Sequence, residues 1–106
     1  MILPYYILDS HKARPTSLKA WKIWFDKANR TVAKTDIGNV HISTVFLGID
    51  YSFGNGPPLL FETMIFGGKY DEYQTRCSTW EEAETMHKKA CKKVKRTRVR
   101  VSNLIS

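Results

Sequence analysis

The chain has 106 residues, 42% hydrophobic and 12% aromatic, which fits one folded domain and excludes intrinsic disorder. No apolar run approaches the roughly 20 residues that cross a bilayer, and the apolar start MILPYYILDS lacks the basic region and small-residue cleavage site of a secretion signal. The charge of +7 is uneven: residues 88–100 hold eight of the 17 basic residues and no acid, leaving nine basic and ten acidic residues elsewhere, a balance of −1.

In chain order, residues 5–8 follow Pro4 as a short apolar run that suits an edge strand. Residues 9–14 read as a polar connection. Pro15-Thr16-Ser17 then opens a helix, with Thr16 or Ser17 as its N-cap. Leu18, Trp21, Trp24, Phe25 and Ala28 recur at helical spacing as its core stripe, and Asn29 is the expected stop. Residues 30–37 are a strand candidate. Gly38-Asn39 turns that strand into residues 40–48, with Gly first as in a type II′ hairpin.

Residues 39–68 are the centre of the chain. Two runs rich in β-branched and aromatic residues, 40–49 and 59–66, flank a loop at 50–58 whose Gly54, Gly56 and Pro57-Pro58 forbid regular structure. Alternation puts Leu59, Phe61, Thr63 and Ile65 on one strand face and Leu60, Glu62, Met64 and Phe66 on the other. Both faces are largely apolar, which predicts a central strand covered on both sides. Gly67-Gly68 ends that strand, and residues 73–77 supply one more. The run Ser78-Thr79-Trp80-Glu81-Glu82 carries a capping box, with the helix predicted to start at Thr79 or Trp80. Trp80, Ala83, His87, Ala90, Cys91 and Val94 form its buried stripe. After Val94, RTRVRVS alternates with period two, as in a last strand or a basic tail. The assembled expectation is an α+β fold, an antiparallel sheet of about five strands with two helices packed against it.

Several pieces together resemble a family of small proteins encoded by tailed phages and prophages. They are Trp24-Phe25, Arg30 with Val32-Ala33, STVFLGID at 43–50, GPPLLFETMIFGG at 56–68 and TWEEA at 79–83. The match covers roughly residues 20–90, and the basic end lies outside it. What the resemblance implies is a viral accessory context in a host cell, more than a mechanism.

Glu62 is the most informative single residue. A carboxylate among apolar neighbours is costly unless paired, so it either receives a ligand, serves as a base, or pairs with Arg30, Arg76 or His41. His41 and Ser43 share a strand face that Glu62 is placed to approach. A Ser-His-Glu group has no nucleophile elbow or oxyanion motif beside it, so a polar ligand-binding patch is the better reading. His87 and Cys91 are spaced to share a helix face, but a core role is the default and no metal or cofactor is expected. Gly54-Asn55-Gly56 reads as a turn before it reads as an anion nest, since the Lys and Ser or Thr of a P-loop are missing. Tyr51 and Phe53 sit in the loop with no evident reason to be buried, and suit stacking on a base or partner. Two cysteines, Cys77 and Cys91, are too few for a disulfide framework and fit a reducing cytosol.

Two functional expectations follow. The first is a non-enzymatic phage accessory binding protein that counters host defence by holding a nucleotide-like ligand or a host protein. It is expected to be a homo-oligomer, to have no membrane partner, and to act through Arg30, His41, Ser43, Tyr51, Phe53, Glu62 and Arg76. The alternative is non-specific nucleic-acid binding through Lys88, Lys89, Lys92, Lys93, Lys95, Arg96, Arg98 and Arg100.

Overall fold

A computed structural model of the chain describes residues 4–105, with side chains described to Arg96. The elements run β1 (Tyr5–Asp9), β2 (Lys12–Thr16), α1 (Leu18–Lys27), β3 (Thr31–Ile37), β4 (Val40–Phe46), β5 (Phe61–Phe66), β6 (Gln74–Cys77) and α2 (Trp80–Ile105). This is the expected α+β class, divided into two antiparallel sheets, β1-β2 and β3-β4-β5-β6.

The additional strand, β2, occupies part of the expected polar connection and helix start. Its sequence, KARPT, has no apolar alternation, and its residues are exposed or half-buried. Backbone pairing to β1 carries it, with Pro15 opposite Tyr6. Such a Pro is tolerated because the strand is an edge. Along its other side, β1 meets the segment after β4: Tyr6 N–H donates to Gly48 C=O at 2.9 Å, and Asp50 N–H to Pro4 C=O at 2.9 Å. Gly48 takes φ +78, a conformation that suits glycine, and lets Trp21 of α1 approach closely.

Helix α1 begins where Ser17 Oγ accepts from Ala20 N–H at 3.2 Å. It ends with Ala28 as its cap, while the Asn29 side chain accepts from Thr31 N–H at the mouth of β3. No residue of α1 is fully buried, and Leu18 is exposed. The expected stripe is therefore a shallow one, in which Trp24 meets Phe46 edge-on and Trp21 packs on Tyr5.

Gly38 takes φ +60, as the first position of a type II′ turn requires. Register places Ile42, Thr44 and Phe46 opposite Ile65, Thr63 and Phe61, and all six are fully buried under α2. The other face of β5 departs from expectation. Glu62 and Met64 are only half-buried and Phe66 is exposed, because α2 covers one face of the sheet. Helix α2 opens on the expected capping box: Glu82 N–H donates to Thr79 Oγ1 at 3.1 Å, and Thr79 N–H to Glu82 Oε1 at 3.1 Å. It then runs to Ile105, so residues 95–105 are helix and not a strand or a tail. Ala83, Met86, His87, Ala90, Cys91 and Val94 form its buried stripe.

Candidate functional site

The uncovered face of the main sheet gathers polar residues from four strands. Pairing and alternation put Lys34 and Asp36 of β3, His41, Ser43 and Val45 of β4, Glu62, Met64 and Phe66 of β5, and Gln74 and Arg76 of β6 on this side. Glu62 lies directly opposite Arg76, and Arg76 Nε donates to Glu62 Oε2 at 3.0 Å. The carboxylate side chain keeps 14% of its exposure and the guanidinium 32%, so the pair is partly shielded from solvent. Of the three partners expected for Glu62, Arg76 is the one the fold supplies.

Tyr51 completes this cluster from the loop. Its ring lies under the Arg76 guanidinium, 4.5 Å from Cζ to the centroid. Asp50, which the sequence reading did not single out, fixes the loop there. Its carboxylate accepts from Ser52 N–H at 2.8 Å, Leu59 N–H at 3.0 Å and Ser52 Oγ at 3.0 Å. Burial pushes this carboxyl up, but the hydrogen bonds from Ser52 and Leu59 outweigh it and hold it below the ordinary value. An acid two residues before Ser, at the start of a Gly-rich loop, was the available signal of such an Asx turn.

His41 is on the same face, its Nδ1 2.6 Å from Asp36 Oδ1 across the β3–β4 pair. Ser43 is half-buried opposite Lys34 and Met64. His41 thus faces Asp36 and Glu62 faces Arg76, an arrangement with no relay from Ser43 through His41 to Glu62.

Two expected contributors lie apart from the cluster. Arg30 stacks over Phe25 at 4.1 Å and donates to Phe46 C=O at 3.0 Å, which spends its guanidinium on joining α1 to β4. Phe53 is 86% exposed at φ +54 near the loop tip. The neighbouring Asn55 N–H donates to Ser52 C=O at 3.0 Å, so the Gly54-Asn55-Gly56 segment is a turn.

His87 is a core residue. Nε2 is 2.8 Å from Thr35 Oγ1 and Nδ1 is 2.8 Å from Thr44 Oγ1, so both ring nitrogens are engaged. Burial, and secondarily the charge of His41, lower its pKa. Burial and the nearby Glu82 push the Cys77 thiol up to about 11, which keeps it protonated and weakly reactive at neutral pH. Among the described residues, no three His, Cys, Asp or Glu side chains are grouped to hold a metal ion, and no helix is long and apolar enough to cross a membrane.

The basic segment forms the outer side of α2. Lys88, Lys89, Lys92, Lys95 and Arg96 are exposed and Lys93 is half-buried. Arg98 and Arg100 lie outside the described side chains. No family model, curated protein or solved structure matches the chain.

Proposed function

We propose that the chain is a non-enzymatic binding protein of viral accessory type, which docks a host protein on its uncovered sheet face inside the host cell. One observation carries this reading. Glu62, Arg76 and Tyr51 form a fixed polar cluster beside Ser43, Val45, Met64 and exposed Phe66, on a face that α2 leaves open. Apolar side chains around a shielded charge pair have the character of an interface core with anchored polar contacts. The face pairs Asp36 with His41 and Glu62 with Arg76, so it lacks the single sign of charge that a polyanion selects. The motifs that resemble phage proteins support the viral context, and interference with host defence is the role this context favours.

The test is affinity capture from host lysate with the parent chain and with Met64→Lys and Arg76→Glu, each checked for an unchanged circular dichroism spectrum. The reading expects one host protein to be retained by the parent and lost by both variants. Sedimentation of the purified protein over a range of concentrations separates a host partner from a second copy of the chain. Retention that ignores both substitutions refutes the reading.

A second reading, non-specific binding of nucleic acid, draws on the five exposed cations between Lys88 and Arg96, with no acid among them. It expects retention on two unrelated sequences to fall steeply with salt, and to weaken in a chain cut after Val94. Equal, salt-resistant binding by both chains would oppose it.

A further inference from the structure

On the helix-covered side of the sheet, a cleft of about 840 Å³ runs between α2 and the β6 edge. Its volume falls within the range of small-molecule sites, roughly 300–1,000 Å³. One wall is the α2 flank carrying Lys89, Lys93 and Arg96, and the other includes Tyr70 and Tyr73. These three cations repeat at i, i+4 and i+7, so they form one stripe about 10 Å long at 1.5 Å of rise per residue. Lys93 Nζ lies 4.6 Å from the Tyr70 ring centroid and 4.9 Å from that of Tyr73. The two rings hold its charge at the middle of the stripe.

The other end of the cleft is acidic, with Glu81 and Glu82 on its lining. Glu82 is committed to the helix cap through Thr79. Glu81 has no such commitment and is exposed. Eight residues of helix separate Glu81 from Lys89, which is about 12 Å. A continuous nucleic-acid strand would bring phosphates against Glu81 and be repelled there. The cleft instead matches a molecule with a multiply charged anionic end, a neutral body about 10 Å long and a hydrogen-bond donor at the far end.

We propose that this cleft binds a nucleoside di- or triphosphate. The phosphates lie against Lys89, Lys93 and Arg96. The nucleoside extends toward Glu81, whose carboxylate accepts from a sugar hydroxyl or a base amine. The site is separate from the open sheet face and does not depend on the protein-docking reading.

Titration calorimetry of the full chain with ATP, ADP, inorganic tripolyphosphate and a single-stranded oligonucleotide tests this. The expected result is saturable binding of ATP and ADP, weakened at least about tenfold by Lys89→Glu with Arg96→Glu. Lys88→Glu with Lys95→Glu makes the same charge change on side chains that do not line the cleft, and should leave ATP affinity within about twofold. Glu81→Gln should weaken ATP but spare tripolyphosphate. The proposal is overturned if ATP heats stay at baseline up to about 1 mM ligand. It is equally overturned if both charge-reversal pairs weaken ATP alike, or if the oligonucleotide outcompetes ATP.

Discussion

Glu62 shows how a single residue type constrains its surroundings. A half-shielded carboxylate on a strand requires a partner, and the opposite position on β6 supplies Arg76 at 3.0 Å. Because the guanidinium keeps about a third of its exposure, the pair ranks between an exposed one worth about 0–1 kcal/mol and a buried one costing about 3–5 kcal/mol to break. Glu62→Ala is expected to lower stability by about 1–2 kcal/mol, read as a shift in urea midpoint at unchanged slope. Gly48 makes the same point through backbone shape. A Cβ there would sit 2.9 Å from Trp21 Nε1 and 3.3 Å from Phe25 Cε2, at φ +78. Gly54 has a similar φ of +83 but open space around it. Each Gly→Ala change incurs about 1–3 kcal/mol for the left-handed backbone, so the excess loss at Gly48 in paired thermal melts measures the α1 contact. Equal losses would mean that α1 yields without cost.

At the scale of elements, the strands and helices legible in the sequence were those with a periodic pattern. The hairpin at Gly38-Asn39, β5 and the start of α2 each combined alternation or a capping box with a turn signal. Strand β2 had neither, since its only specification is the partner strand β1. The helical end of α2 was hidden for a related reason. RTRVRVS alternates with period two, but it directly continues an established helix, and adding one residue to a helix costs far less than nucleating a strand. In the candidate site, Glu62 and Arg76 were legible as charges that needed explanation. That Arg30 would serve α1 instead was not legible, because its contact with Phe25 depends on how the helix meets the sheet. The capping box allows a direct test. Thr79→Ala removes the acceptor for Glu82 N–H and should cost about 1 kcal/mol. Thr79→Ser, which keeps the hydroxyl, should recover most of it.

For the whole molecule, a polar chain runs from α2 into the sheet alongside the apolar packing. His87 of α2 reaches Thr35 of β3 and Thr44 of β4, and Thr44 in turn bonds Thr63 of β5. A neutral imidazole offers one donor and one acceptor, which the two hydroxyls match by rotating. A protonated ring offers two donors and places a charge beneath α2, against fully buried Thr44. Burial and the charge of His41 accordingly hold the folded pKa of His87 below its ordinary value. The unfolded chain therefore binds this proton at higher pH than the folded one. His87 favours folding fully above about pH 6.5, and that contribution is lost as pH falls toward and through the folded pKa. Asp50 adds a separate, lower window, because its depressed pKa makes its contribution disappear only below its unfolded value of 3.8. Thermal melts between about pH 8 and pH 5 should thus show a falling midpoint in the parent chain. In His87→Gln the profile should be flatter across that window, from a lower starting midpoint, while the loss below about pH 4 persists. Parallel profiles for the two chains would show that the His87 chain of hydroxyls does not set the acid sensitivity of the fold.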